Sequence, residues 1–150
     1  MITRPTTDVL IEDCCRELTE AILPGLTDET LKLRLVMTET VLRNAAVRAA
    51  HEIAWMREET TALLDYAGRV AARHGSEALR AALAEVGPTD SLHLADVADR
   101  YERAGQAFTA ALATAQEAGD ADLVAEAREL LRDRIATEKE VVATYEVVGR

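Results

Sequence analysis

The chain has 150 residues, of which 49% are hydrophobic and only 3% aromatic, and its formal net charge at pH 7 is -10. This length fits one domain over residues 1–150, with a core that must be built mainly from Ala, Leu and Val. The charge argues against nucleic acid and anionic membrane surfaces as partners, since both attract clustered Lys and Arg.

The opening residues, MITRPTTD, lack the apolar core of a signal peptide. No apolar run approaches the ~18 residues that a membrane span requires. Cys14 and Cys15 are adjacent, and a helix cannot accommodate the strained ring that a disulfide between neighbours would form. We expect both thiols to be small buried hydrophobes in a cytoplasmic protein, with a redox pair as the alternative.

Helix signals begin at Pro5. A first helix is predicted from the run 6–8, and Pro24 ends it. Its apolar residues recur on one side at the helical period, and they are Leu10, Ile11, Cys14, Cys15, Leu18 and Ile22. Thr27 is the predicted cap of a second helix, with Asp28 and Glu29 in the first turn, where the helix dipole favours acids.

The second helix is predicted to run from about residue 28 to 74, because no proline interrupts it and its only internal glycine is Gly68. At 1.5 Å per residue it would be roughly 70 Å long, whereas a compact protein of this size is about 40 Å across. We expect a continuous helix that extends beyond the rest of the protein, and we expect a partner to cover the part that extends. The alternative is a break at residues 59–61, where two threonines lower helix propensity.

Three further helices follow. Ser76 caps a short helix that ends near Val86, and Asp90 or Ser91 opens a longer one that ends at Gly119. The last begins near Ala121, with an apolar stripe of Leu123, Ala127, Leu130, Leu131, Ile135, Val141, Val142 and Tyr145. No strand pattern competes, so the sequence predicts an all-α bundle of four to five antiparallel helices, one of them very long.

The long helix carries two apolar lines. The main line predicts the face that meets the other helices, and it comprises Leu31, Leu35, Leu42, Ala46, Ala49, Ile53, Met56, Leu63, Ala67 and Ala71. The second line lies on roughly the opposite side, and it comprises Leu33, Met37, Asn44, Val47, His51, Trp55, Ala62 and Tyr66. Large apolar residues mixed with Asn and His are typical of a helix–helix interface with polar specificity positions. The alternative is burial of both sides within one chain.

His51 and Glu52 resemble the start of a zinc-protease HExxH motif, but Trp55 occupies the position of the second histidine. Asp90 and His93 have a possible ligand spacing, yet they lie at a predicted helix start, where Asp is an ordinary cap. No Glu-x-x-His pair, phosphate-binding glycine loop or nucleophile with a suitably spaced histidine occurs. We expect no catalytic residues, metal or cofactor, and therefore no enzyme.

The segment RPTTDVLIEDCCRELTEAILPGL, followed by LKLRLVMTETVLRNAAVRAAHE, resembles a small bacterial helical domain of unknown function over about residues 3–75. The positions that carry the resemblance are Arg4, Pro5, Pro24 and Glu52. That family is associated with aminoglycoside-phosphotransferase-like kinases and acyl-CoA dehydrogenases and has no established active site. The resemblance therefore implies an accessory role beside such a metabolic enzyme.

Two functions remain after these exclusions. The first is a non-catalytic, self-associating protein, most simply a homodimer, that uses the second line of the long helix as its interface. Trp55 is expected to contribute most to that contact, since large aromatic residues dominate interface energetics. The second is a bundle that binds an apolar or acyl ligand between Ala-lined helices, which would require an apolar cavity of several hundred Å³.

Overall fold

The computed structural model describes residues 4–142 of the chain, with side chains described through Lys139. Five α-helices account for most of these residues, and no strand occurs within them. The helices are α1 Thr7–Glu17, α2 Glu29–His74, α3 Glu77–Glu85, α4 Leu94–Glu117 and α5 Ala121–Val142. The predicted all-α class and the very long helix are confirmed. Tyr145, placed on the last helix by its apolar period, lies outside the described residues.

The first predicted helix is divided at its C-terminal end. After α1 the chain forms one π turn, Leu18–Ile22, and one 3-10 turn, Leu23–Gly25. The Thr19 hydroxyl donates to the Cys15 carbonyl at 3.0 Å, where the helix changes its pitch. Pro24 lies in the 3-10 turn and has no N–H to continue the ladder, so it ends the helix as predicted.

The long helix is continuous. It contains 46 residues, which corresponds to about 69 Å at 1.5 Å per residue. The expected alternative of a break at residues 59–61 is wrong, because both threonines are accommodated within the helix. The Thr60 side chain is buried, and the Thr61 hydroxyl donates to the Arg57 carbonyl at 3.0 Å.

Two of the predicted helix caps shift in position. Asp28, not Thr27, caps α2, since its Oδ1 accepts hydrogen bonds from the N–H groups of Thr30 at 2.7 Å and Leu31 at 3.2 Å. At α4 the cap position is His93, without a side-chain cap bond. Ser91, which was expected to open that helix, instead accepts from the His93 N–H at 3.1 Å and shapes the preceding loop.

The cap of α3 agrees with the prediction, whereas no cap was predicted for α5. Ser76 caps α3 by accepting from the Leu79 N–H at 3.1 Å. Asp120 caps α5 by accepting from the Leu123 N–H at 3.2 Å. Before it, Gly119 has a φ of 67°, a left-handed conformation that glycine adopts without strain, and this ends α4.

The chain divides into two compact units. Unit 1 comprises Met1–Glu52 and Thr137–Arg150, and unit 2 comprises Ile53–Ala136. Both α2 and α5 therefore contribute residues to both units. The single domain predicted from chain length stays a prediction.

The core of unit 2 is built largely from small side chains, as the composition predicts. Its buried members are Leu63, Tyr66, Ala67, Val70, Leu79, Ala104, Ala107, Phe108, Ala111, Ala115, Leu123 and Ala127. Alanines allow the helices that carry them to approach closely. Tyr66 and Phe108 fill the largest space, with ring centroids 5.2 Å apart and planes tilted by 50°.

Unit 1 contains α1 and the first half of α2. Cys15 is fully buried, and its Sγ lies 3.8 Å from the carbonyl oxygen of Glu39 on α2. Cys14 is exposed, so the expectation that both thiols are buried is wrong for this residue. Adjacent helical residues differ by about 100° in direction, and only one of the two can face α2.

The described helices give no candidate for a membrane span, since none combines sufficient length with sufficient apolar character.

Candidate interaction surface

The second line of α2 is exposed near the start of the helix and becomes buried along it. Leu33 and Met37 are 61% and 62% exposed. Asn44, Val47 and Trp55 are partly buried, and His51 is exposed. Asn44, His51 and Trp55 each take part in further polar or ring interactions. The residues of this line most accessible to a partner are therefore Leu33 and Met37, in unit 1.

Tyr66, at the far end of the same line, is fully buried in the core of unit 2. It packs against Phe108, so this position is occupied within the chain, as the alternative of intrachain burial anticipates. Its hydroxyl has no hydrogen-bond partner among the described residues. Burial raises the pKa of Tyr66, and the negative charges of Glu126 and Asp120 add to this effect.

Val41 belongs to the exposed surface although it was not assigned to the second line. It is 57% exposed and follows Met37 by four residues, as Met37 follows Leu33. Residues four apart lie next to each other on a helix surface, so the spacing itself could have identified Val41. We call Leu33, Met37 and Val41 the apolar ridge.

The ridge is uncovered because α1 packs on the other side of α2. The side facing α1 is marked by Glu39 and Ala46, which are buried and lie seven residues apart. At 100° per residue, Met37 points about 160° away from Glu39. Within unit 1, α1 therefore cannot cover the ridge.

The main line of α2 is also only partly buried in this half of the helix. Leu31 is 47% exposed and Ala49 is exposed, whereas Leu63 and Ala67 of the same line lie in the core of unit 2. The expectation that the whole line meets other helices of the chain is therefore wrong for Leu31 and Ala49. Equal sequence periodicity leads to different burial, because α3 and α4 lie only in unit 2.

Apolar side chains are distributed very unequally between the two units. Of the eleven large apolar side chains that are exposed among the described residues, seven lie in unit 1: Val9, Leu10, Ile22, Leu31, Leu33, Met37 and Val41. Of the fifteen buried apolar residues in the described part of the chain, two lie in unit 1, Cys15 and Ala46. Unit 1 therefore buries few apolar side chains and exposes many. An exposed apolar surface of this kind is typical of an interaction site.

The ridge lies on a segment that does not share the acidic character of the whole chain. Residues 29–52 contain three acids and four bases, a net charge of +1, in a chain with a net charge of -10. Each acid pairs within the helix: Glu29 with Lys32 at 2.7 Å, Glu39 with Arg43, and Glu52 with Arg48. Arg34, beside the ridge, makes no ion pair with a described residue.

His51 lies at an exposed position of α2. Among the described residues, no group of three or more His, Cys, Asp or Glu side chains could hold a metal ion. A hydrogen bond from Thr6 lowers the pKa of Asp8, and the electrostatic interaction with His51 is a minor contribution in the same direction. His51 therefore adds to the electrostatics between α1 and α2.

A partly buried polar cluster in unit 2 was not predicted from the sequence. The Tyr101 hydroxyl donates to Glu59 Oε2 at 2.9 Å, and Arg134 Nε lies 3.6 Å from Glu59 Oε1. The Arg134 guanidinium also lies 5.8 Å from the centre of the Tyr101 ring. The cluster joins α2, α4 and α5, and Glu59 Oε1 is buried without a hydrogen-bond partner among the described residues.

A second polar cluster in unit 2 involves the C-terminal end of α2, the N-terminal caps of α3 and α5, and one residue of α4. His74 Nε2 is 2.7 Å and Arg73 Nε is 3.3 Å from Asp120 Oδ2. The hydrogen bond from His74 lowers the pKa of Asp120. Ser76 caps α3 and lies 3.2 Å from the Thr114 hydroxyl. Ser76 and Asp120 therefore act as helix caps, and His74 bonds the cap residue Asp120.

Two surface depressions bear on the ligand-binding alternative. One, of about 240 Å³, is lined by charged and polar residues that include Asp99, Arg100 and Arg103. The other, of about 650 Å³, lies along residues 4–9. Both are open to solvent, so neither is the enclosed apolar cavity that an acyl ligand would need. Arg100 and Arg103 already donate to the carbonyls of Gly87 and Glu85.

No family model, curated protein or solved structure matches the chain. The resemblance over about residues 3–75 and the accessory role that it implies therefore stay predictions. The most extensive feature that points to a function is the exposed apolar surface of unit 1.

Proposed function

We propose that the protein acts without catalysis, as a helical protein that self-associates through the first half of α2. The observation that carries this proposal is the apolar ridge, whose three side chains are each more than half exposed. Burying apolar surface contributes about 25 cal/mol per Å². The ridge and its neighbours therefore supply a driving force for association that unit 1 does not use in its own contacts.

A second copy of the chain suits the ridge better than nucleic acid or an anionic surface does. The overall charge of -10 repels polyanions and also opposes contact between most surfaces of two copies. Residues 29–52 do not share this acidity, because their acids are paired and their net charge is +1. Two copies that meet at this segment avoid most of the electrostatic cost of self-association.

The test is sedimentation equilibrium of the full chain at tens of micromolar, with Met37→Glu as the variant. Wild type is expected to be a dimer, and Met37→Glu is expected to be monomeric because it places a charge in the apolar contact. Ala72→Glu is the matched control, since it adds the same charge to an exposed position of the same helix in unit 2. The control should remain dimeric.

A monomeric wild type at this concentration would overturn the proposal. A dimer that survives Met37→Glu would move the interface away from the ridge. Far-UV circular dichroism of each variant shows whether the helices are retained, which separates loss of association from loss of folding.

The accessory role beside a metabolic enzyme rests on the resemblance alone. It predicts that the purified protein binds an aminoglycoside-phosphotransferase-like kinase or an acyl-CoA dehydrogenase from the same cell. Co-purification with such an enzyme supports this role. Self-association does not depend on the result.

A further inference from the structure

The spacing of the ridge restricts how two copies can meet. Leu33, Met37 and Val41 form a row with four-residue steps, the kind of ridge that packs into the groove of a second helix. The contact between two identical subunits is most simply isologous, so that the same patch serves both subunits. A row of three evenly spaced residues can match itself in a parallel or an antiparallel direction.

The positive charges beside the ridge distinguish these arrangements. In a parallel pair, Arg34 would face Arg34 of the second copy, and Arg48 would face its own equivalent. In an antiparallel pair centred on Val41, Arg34 would approach Arg48 of the second copy. Both arrangements bring like charges together, and Arg34 has no acidic partner among the described residues that would offset this repulsion.

An antiparallel pair centred on Met37 avoids both conflicts. Arg34 then faces the uncharged Thr40 of the second copy, while Leu33 faces Val41 and Met37 faces Met37. All three apolar side chains are covered, each by another apolar side chain. The acids of this segment remain in their intrahelical pairs with Lys32, Arg43 and Arg48.

We infer that two copies of the chain associate through an antiparallel contact between their α2 helices, centred on Met37. This inference rests on the proposed function, since it specifies the arrangement of the same interface. The proposed arrangement determines which residues of the two copies are neighbours. Disulfide cross-linking between single introduced cysteines tests these neighbours directly.

The experiment uses the full chain carrying Cys14→Ser, because Cys14 is the exposed thiol, whereas Cys15 is buried. Met37→Cys is expected to form a covalent dimer rapidly under mild oxidation. Leu33→Cys alone and Val41→Cys alone should not. An equal mixture of Leu33→Cys and Val41→Cys should form a covalent heterodimer.

The reason is geometric. A disulfide requires Cβ atoms roughly 3.5–4.5 Å apart. In the antiparallel arrangement, the two copies of residue 33 lie eight residues apart along the contact, which is about 12 Å on a helix. Thr61→Cys, exposed on α2 in unit 2, is the control for random collision and should cross-link at least tenfold more slowly than Met37→Cys.

Efficient self-cross-linking of Leu33→Cys would overturn the antiparallel direction. A wild-type dimer in which Met37→Cys cross-links no faster than the collision control would also overturn this inference, although self-association would stand. A wild-type monomer by sedimentation would overturn both proposals. The sedimentation measurement therefore separates failure of the arrangement from failure of the proposed function.

Discussion

We expect replacement of Tyr by Phe to have opposite effects on the free energy of unfolding at Tyr66 and at Tyr101. Both tyrosines lie in unit 2, but the Tyr101 hydroxyl donates to Glu59 at 2.9 Å, whereas the Tyr66 hydroxyl is buried without a partner among the described residues. A buried polar group without a hydrogen bond costs about 1–3 kcal/mol, and a hydrogen bond to a charged group contributes a similar amount. Replacing each Tyr by Phe removes only the oxygen atom.

We therefore expect Tyr66→Phe to raise the free energy of unfolding by about 1 kcal/mol, since the ring and its contact with Phe108 remain. We expect Tyr101→Phe to lower it by about 1–2 kcal/mol, because the partly buried carboxylate of Glu59 loses the hydrogen bond from the Tyr101 hydroxyl. Urea unfolding followed by circular dichroism measures both changes. All proteins are compared at one concentration, because association makes stability concentration-dependent.

The pH dependence of the same pair provides a second readout. The pKa of Tyr66 is raised by burial, so the folded state retains this proton at pH values where the unfolded state, with a pKa of about 10, loses it. The contribution of the protonated Tyr66 hydroxyl to the free energy of unfolding is therefore fully present below pH 10 and is lost as the pH rises above 10. Tyr66→Phe should lose less stability than wild type between pH 9 and 11.

A decrease in stability of 1 kcal/mol or more in Tyr66→Phe at pH 7 would refute the reasoning, because it would mean that the hydroxyl has a partner. Equal effects of the two substitutions would refute it as well. Tyr66→Ala is the control for packing, and it should lower the free energy of unfolding by about 3–5 kcal/mol because it leaves a cavity beside Phe108.

Four further outcomes are expected. Gly68→Ala should stabilise the protein by about 0.5–1 kcal/mol in urea unfolding, since a Cβ at this exposed helical position meets no atom within 4 Å. The His74 hydrogen bond lowers the pKa of Asp120, so its contribution is present above pH 4 and is lost on acidification; Asp120→Asn should flatten the stability profile between pH 4 and 2. Elemental analysis should find no stoichiometric zinc or iron, and one metal per chain that is lost in His51→Ala would contradict this. Trp55→Ala should leave the dimer unchanged in sedimentation, because in the antiparallel contact residue 55 would face residue 19 of the second copy, before the start of α2; a weakened dimer would instead extend the interface along the second line.

Local interactions explain why so much of the fold follows from the sequence. Proline, glycine and capping residues act within one or two turns, so Pro24, Ser76 and Gly119 mark real helix ends. No proline lies between residues 29 and 74, and this is enough for one continuous helix. The Thr61 hydroxyl fits into the helix because it donates to the Arg57 carbonyl. The error at the start of α2 is one residue, because Thr27 and Asp28 are both good caps and only the backbone geometry selects Asp28.

Burial depends on which elements lie beside a helix face, and periodicity contains no such information. Leu31 and Leu63 occupy the same predicted line, but only Leu63 lies where other helices pack around α2. Likewise, Met37 and Tyr66 share the second line, yet one is exposed and the other is in the core. The sequence alone determined the helices, their approximate ends and the two-sided character of α2. The tertiary structure decided which part of each side is covered, because burial arises from contacts between residues far apart in the chain.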